Sequence, residues 1–156
     1  GGAGHTLEDE FARLQDYLEL MAIRMGPRLH FTLELPDTLR HHPVPPLLLQ
    51  PVVENCIQHG LEPQVEGGSI LVRASEAKGM LTLEVQDTGV GIAAAPSLAQ
   101  DEGQGKGHGF GLQQVRDRLA TTFGPLGTMN LVANSPQGTR ATITFPTQHA
   151  SPCPPP

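Results

Sequence analysis

The chain has 156 residues, enough for a single domain with a hydrophobic core. It carries 10 basic and 16 acidic residues, a net charge of −6, which argues against a general nucleic-acid-binding surface. Its two cysteines are too few for a disulfide scaffold, and no apolar run approaches the length of a transmembrane helix.

Both ends of the chain are excluded from the fold on compositional grounds. We interpret residues 1–5 as a remnant of cloning and predict that the proline-rich tail at 148–156 is disordered. The remaining residues, 6–147, are expected to form one domain. Cys56 and Cys153 are interpreted as reduced thiols.

The domain is predicted to begin with a helix over 6–26. Thr6 can cap this helix, Asp9 completes a capping-box pattern, and Gly26-Pro27 ends it. The apolar residues follow a heptad spacing: Leu7, Phe11, Leu14, Leu18, Met21 and Met25. This seam is compatible with a helix packed on its own domain, or with a helix that continues from an upstream helical dimer.

Alternating apolar and polar residues predict a half-buried strand over 28–35, which a proline-rich connection follows. The next element, a helix over 47–60, is the one around which we expect the rest of the chain to be organised. Its apolar residues recur at helical spacing and predict one buried face: Leu49, Val52, Val53, Cys56 and Ile57. Asn55 and His59 then lie together at the rim of that face. Pro51 is expected in the first turn, or at a kink.

Two further strands, over 69–77 and 80–86, are predicted to form a hairpin around Lys78-Gly79. The second strand leads into the stretch Asp87-Thr88-Gly89-Val90-Gly91. A carboxylate at a strand end can accept a hydrogen bond from an exocyclic amine, and glycines allow a flat ring to approach the backbone. The same residues are common in ordinary turns. They do not make a dinucleotide fingerprint, because Pro96 interrupts the helix that such a motif requires.

Glycine recurs at every second position from Gly103 to Gly111, where a helix over 111–123 is predicted to begin. Backbone amides beside a helix N-terminus suit phosphate oxygens. The pattern is not a P-loop, because Lys106 is followed by glycine instead of serine or threonine. We predict that residues 93–108 form a mobile loop, with a plain flexible linker as the alternative.

A final hairpin is predicted over 128–134 and 139–145. The chain therefore has about five strands, mostly connected by hairpins, and about three helices that can cover one face of the sheet. We predict a two-layer α/β sandwich with a mixed, mostly antiparallel sheet.

In their order along the chain, four polar motifs resemble those of the GHKL ATPase superfamily, which contains histidine kinases, gyrase B subunits, MutL proteins and heat-shock chaperones. The motifs are Glu54-Asn55…His59-Gly60, Asp87-x-Gly89-x-Gly91, Gly109-x-Gly111-Leu112 and Gly138-Thr139. The runs P-P-L-L-L-Q-P-V-V-E-N-C-I-Q-H-G and G-F-G-L-Q-Q-V-R-D-R-L are most similar to LytS/YehU-type sensor histidine kinases. The resemblance covers about 7–146 and implies a Bergerat-type ATP-binding fold.

The resemblance also implies a role for each motif. Asn55 is expected to bind Mg²⁺ between the ATP phosphates, with His59 lining the same side. Asp87 is expected to accept a hydrogen bond from the adenine amine, and Thr139 to support the ring through its hydroxyl. The other implied ATP-binding residues are Gly89, Gly91 and Ile92 at the adenine wall, and Gly107, Gly109, Gly111 and Leu112 at a lid formed by the loop 93–108.

Two positions depart from the superfamily pattern. Other branches carry Asn or Glu four residues before the metal-binding Asn, where this chain has Pro51. A strong hydrolytic base is therefore not expected, and Glu54 is only a candidate accessory group. Relatives usually have Asn at the position of Gln114. The acceptor histidine of such kinases lies on an upstream helix, and no histidine of this chain stands in that context.

We therefore expect the ATP-binding catalytic domain of a sensor histidine kinase in a two-component system. It would pass the γ-phosphoryl group of Mg-ATP to an acceptor histidine on a separate dimerisation domain, for onward transfer to a response regulator. The domain is expected to be cytoplasmic and monomeric, without membrane or nucleic-acid contacts, and its parent to be a homodimer anchored in the inner membrane. Two alternatives stay open: an anti-sigma-type serine kinase or switch protein of the same superfamily, and a degenerate nucleotide-sensing module.

Overall fold

The computed structural model describes residues 4–91 and 107–147, with the backbone alone over 107–110. Ile92, the tail at 148–156 and most of the predicted lid over 93–108 lie outside the described residues. Within them the chain forms three α-helices: α1 over Leu7–Met25, α2 over Gln50–Cys56 and α3 over Gly107–Phe123. The strands are β1 over Leu29–Glu34, β2 over Gly68–Ala77, β3 over Met80–Asp87, β4 over Thr128–Ala133 and β5 over Thr139–Pro146.

All five strands form one sheet in the order β1-β2-β3-β5-β4. The β1–β2 pair is parallel and the other pairs are antiparallel, which confirms the predicted mixed, mostly antiparallel sheet. The hairpin between β2 and β3 turns at Lys78 (φ 54°) and Gly79 (φ 78°). Positive φ at both turn residues gives a backbone twist that matches the twist of the flanking strands.

The helices lie over one face of the sheet, so the molecule is the predicted two-layer α/β sandwich. The inward residues of the two central strands are buried together with those of the helices: Leu81, Leu83, Val85, Ala141, Ile143 and Phe145. Their alternation along the strands places one face of the sheet in the core and leaves the other half-exposed. In the described part of the chain, no helix is both long and apolar enough to cross a membrane.

Helix α1 begins with the predicted capping box. The Thr6 hydroxyl accepts from the Asp9 N–H (3.3 Å), and the Asp9 carboxylate accepts from the Thr6 N–H (3.0 Å). Every residue of the heptad seam is buried in the core of the domain, whereas Leu20 and Ile23 on the opposite side are exposed. The helix therefore packs on its own domain, the first of the two arrangements that the sequence allowed.

Helix α2 differs from its prediction at both ends. It begins at Gln50 instead of Leu47, because the backbone at Leu47 has a φ of 64°, outside the right-handed helical region. Pro51 lies in the first turn, as expected. At its other end the helix passes into a π-helical turn over Ile57–Leu61, closed by the hydrogen bond from the Glu62 N–H to the Ile57 carbonyl (2.8 Å).

Helix α3 begins four residues earlier than predicted, at Gly107 instead of Gly111. Gly107 and His108 therefore belong to a helix and not to the loop predicted over 93–108. A run of alternating glycines has little helical propensity, so propensity alone did not predict that the helix extends through it.

Candidate functional site

A cleft opens between helix α2 with its π turn on one side and the adjoining ends of β3 and β5 on the other. It is lined by Val52, Asn55, Cys56, His59, Gly60, Asp87, Gly91, Leu112, Leu131 and Thr139. The fold thus brings together six residues that were predicted to bind ATP: Asn55, His59, Asp87, Gly91, Leu112 and Thr139. A cleft with mainly apolar walls and a few polar groups suits a small ligand.

Asp87 is the buried carboxylate of the cleft, with 1% of its surface exposed. It ends β3 and pairs with Thr139 at the start of β5. One carboxylate oxygen accepts from the Gly89 N–H (2.8 Å), and the Cys56 thiol and the Thr139 backbone also hydrogen-bond to the carboxylate. Burial raises the pKa of Asp87, and these contacts offset only part of that effect. A buried carboxylate that opens on a cleft is a typical ligand-recognition group.

Cys56 lies beside Asp87 on the helical wall. Burial, followed by the nearby charge of Asp87, raises the pKa of the Cys56 thiol well above its usual range. The thiol is therefore neutral and acts as a hydrogen-bond donor to the carboxylate. It is not an activated nucleophile, because nucleophilic cysteines need a lowered pKa.

Asn55 and His59 stand half-buried on the same flank of α2 and its π turn, as the helical spacing predicted. The π turn also brings the backbone of Gly60 against the loop that follows Asp87. There the Val90 N–H donates to the Gly60 carbonyl (3.0 Å). The turn therefore links the wall that carries Asn55 to the wall that carries Asp87. Single π turns of this kind are often found at functional sites.

Gly89 permits this link between the two walls. A Cβ atom at Gly89 would lie 2.1 Å from the carbonyl oxygen of Gly60, too close for any side chain. Gly89 is not among the residues that line the cleft, and its missing side chain allows two backbones to approach. Gly91 (φ 84°) does line the cleft.

The profile of the "Histidine kinase-, DNA gyrase B-, and HSP90-like ATPase" family matches residues 45–149 of the chain, a range that includes every residue of the cleft. The chain belongs to this ATPase family.

Individual relatives are sensor histidine kinases. The chain is 34% identical over 141 residues to the sensor histidine kinase YesM of Bacillus subtilis. The alignment covers 90% of this chain and 24% of YesM. It is 28% identical over 147 residues to the sensor protein LytS of Oceanobacillus iheyensis, with 90% and 25% coverage. The chain thus spans about a quarter of the length of these relatives.

Solved histidine kinase structures share the fold. The nucleotide-free catalytic domain of the histidine kinase ThkA superposes with a TM-score of 0.67 at 16% identity, covering 91% of this chain and 94% of that domain. The blue-light activated histidine kinase of Erythrobacter litoralis gives a TM-score of 0.62 at 21% identity, covering 87% of this chain and 41% of the other. The predicted Bergerat-type fold of this ATPase family is confirmed.

The other predicted site residues lie elsewhere or outside the described residues. Gly107 and Gly109 are in the first turn of α3, and Gly111 follows them, where an added Cβ would lie 3.6 Å from the Pro51 side chain. Glu54 is not among the cleft residues. It accepts from the Gln50 amide (3.0 Å) and faces an open groove between α1 and α2. This placement gives no support to an accessory role for Glu54 in the cleft.

Four residues of the cleft were absent from the predicted set: Val52, Cys56, Gly60 and Leu131. Val52 and Cys56 were assigned to the core by the same periodicity that placed Asn55 at the rim. They are part of the core and also line the cleft. Gly60 directly follows His59 in the motif, and this position next to a predicted site residue could have identified it. Leu131 lies on β4, where the sequence carries no motif.

The donor groups of the cleft fit a magnesium ion held mainly by phosphate and water. Among the residues that the structure describes, no cluster of three or more His, Cys, Asp or Glu side chains could hold a metal. Asn55 offers an amide oxygen at the rim of the cleft. Mg²⁺ at nucleotide sites commonly takes one or two protein oxygens and completes its octahedron with phosphate and water, so a single side-chain ligand is compatible with it.

Proposed function

We propose that the chain is the Mg-ATP-binding catalytic domain of a two-component sensor histidine kinase, and that it donates the γ-phosphoryl group to an acceptor histidine on a separate domain of the same parent. A single observation carries the proposal: the buried Asp87 carboxylate and the Asn55 amide lie on opposite walls of one cleft, in a member of an ATPase family. The onward acceptor would be a response regulator. We further place the domain in the cytoplasm.

Asp87 is the residue that would recognise adenine. Its carboxylate has more acceptor sites than the contacts from Gly89, Cys56 and Thr139 occupy, so it can also accept from an exocyclic amine. Val52 and Leu131 supply apolar surface for a flat ring, and Thr139 lines the same cleft at the strand position that pairs with Asp87. An amino group at the ring position facing Asp87 would be favoured over a carbonyl oxygen, which the carboxylate repels.

Asn55 is the residue that would hold Mg²⁺, with His59 on the same side toward the phosphates. When bound, the ion would neutralise negative charge on the phosphates. The protein's own part is to position ATP: phosphoryl transfer needs alignment and charge neutralisation more than covalent chemistry. Pro51 stands where other branches of the superfamily carry Asn or Glu, so no strong base is present there to activate water. This fits transfer to a histidine, because the nucleophile would come from another domain and would not be a water molecule.

Calorimetry of two variants tests these roles. Asp87→Ala should lose a charge-assisted hydrogen bond worth about 1.5–3 kcal/mol, and so weaken ATP and ADP alike by about 10- to 100-fold, with or without metal. Asn55→Ala should abolish most of the Mg²⁺-dependent gain in ATP affinity while sparing metal-free ADP. Asp37→Ala, which removes a side chain that is 93% exposed, is the control and should bind as the unaltered chain does.

The roles are wrong if Asn55→Ala weakens metal-free ADP as much as Mg-ATP. The two alternative functions need a different readout, with γ-labelled ATP. The chain alone should not label itself, and addition of the parent's acceptor-histidine domain should give an acid-labile phosphohistidine. Acid-stable phosphoserine on a protein partner would favour the serine kinase. Nucleotide binding without any transfer would favour the sensing module.

A further inference from the structure

A second buried carboxylate lies away from the cleft, on helix α1. Glu10 has 1% of its surface exposed, and among the described acidic residues only Asp87 is as deeply buried. Its carboxylate accepts from the Leu49 N–H (2.8 Å) and the Leu47 N–H (3.2 Å), and hydrogen-bonds with His5 Nε2 (2.6 Å). Glu10 therefore holds the segment from which helix α2 starts.

The start of α2 lacks the usual local cap. Leu49 stands at the N-cap position, and its side chain cannot accept a hydrogen bond. The backbone at Leu47 has a positive φ, a conformation that a leucine rarely adopts without support from its surroundings. The Glu10 carboxylate satisfies two backbone N–H groups at this point, those of Leu47 and Leu49, and it does so from a helix about 40 residues earlier in the sequence.

We propose that Glu10 is a positioning residue for the phosphate side of the nucleotide site. By fixing the first turn of α2 it sets the position of Asn55, which lies on the same short helix. Asp87 stands at the end of β3, where pairing with β2 and β5 sets its position. Glu10 therefore acts on the Asn55 wall and not on the Asp87 wall. This inference rests on the proposed function.

The closing experiment compares the full chain with Glu10→Gln. The amide keeps the volume of the side chain and one acceptor oxygen, but its NH₂ group replaces the other acceptor and faces a backbone donor. The Mg²⁺-dependent gain in ATP affinity should fall about fivefold or more, the lower end of typical coupling between two parts of a protein. Metal-free ADP affinity should stay within about twofold. Glu10→Asp, which shortens the side chain, serves as a second variant and should show the same split.

Glu8→Gln is the matched control. Glu8 lies on the same first turns of α1, and its carboxylate pairs with Arg40 of the proline-rich connection (2.6 Å). It should leave both affinities unchanged. Glu10 variants that weaken Mg-ATP and metal-free ADP equally, or that change neither, overturn the positioning role. Absence of nucleotide binding by the unaltered chain would instead overturn the proposed function, and the role of Glu10 with it.

Discussion

At the scale of single residues, the buried charge of Asp87 is expected to favour nucleotide binding and to lower the stability of the folded protein. Burial raises its pKa above the ordinary value of 3.8, against the contacts from Gly89, Cys56 and Thr139. A carboxyl group with a raised pKa holds its proton more tightly in the folded protein than in the unfolded chain. Charging it therefore reduces the free energy of unfolding as pH rises from 3.8 through the folded-state pKa, and above that value the loss is complete.

Asp87→Asn should accordingly raise the free energy of unfolding of the nucleotide-free protein at pH 7, and the gain should shrink as pH falls toward 3.8. The same variant should bind ATP about 10-fold or more weakly, because the charged acceptor is lost. Urea unfolding at several pH values measures the first effect and calorimetry the second. Asp37→Asn, at an exposed site, should change stability by less than about 0.5 kcal/mol. A less stable Asp87→Asn protein at pH 7 would mean that the hydrogen bonds lost with the carboxylate outweigh the cost of burying its charge.

At the scale of elements, the periodicity of apolar residues predicted the features that recur along a regular helix or strand. It identified the buried face of α2, placed Asn55 and His59 on one flank, and found all the strands of the sheet. It did not predict the π turn at Ile57–Leu61, because a single wider turn changes no apolar spacing that the sequence displays. It also misplaced the start of α2, since the group that caps it, Glu10, is distant in sequence.

The π turn also gives Gly89 a contact that its motif did not predict. The motif predicted a glycine that lets a ligand approach the backbone, and the structure shows that Gly89 also lets another segment of backbone approach it. The contact partner, Gly60, comes from a different element, and no local pattern reveals it. Distances between elements are the part of the site that one sequence cannot supply.

Gly89→Ala should therefore disrupt the contact between α2 and the Asp87 loop. Its Cβ would lie 2.1 Å from the Gly60 oxygen, and overpacking of this kind costs about 1–3 kcal/mol. Nucleotide affinity should fall as well. Gly79→Ala is a control of comparable cost, about 1–2 kcal/mol, because Gly79 has a positive φ but open space around it. It should destabilise the protein in urea and leave ATP affinity unchanged. Equal loss of binding in both variants would trace the defect to stability alone.

At the scale of the whole molecule, helix α1 connects the core of the domain to its nucleotide site. Its inner face supplies much of the core, and its buried Glu10 holds the start of α2. The two contributions come from one helix whose outer side leaves Leu20 and Ile23 exposed. A displacement of α1 would therefore act on the core and on the Asn55 wall together, whereas the Asp87 wall is held by the sheet.

This arrangement predicts that substitutions on the two faces of α1 differ in their effect on the free energy of unfolding. Leu18→Ala removes a fully buried side chain and should lower the free energy of unfolding by about 2–5 kcal/mol, because the cavity it leaves cannot close completely. Ile23→Ala, at a position that is 81% exposed, should cost less than about 0.5 kcal/mol. Urea unfolding of the two variants beside the unaltered chain measures the difference. If both substitutions cost little, α1 does not belong to the core of this domain, and its heptad seam would instead be available to a partner helix.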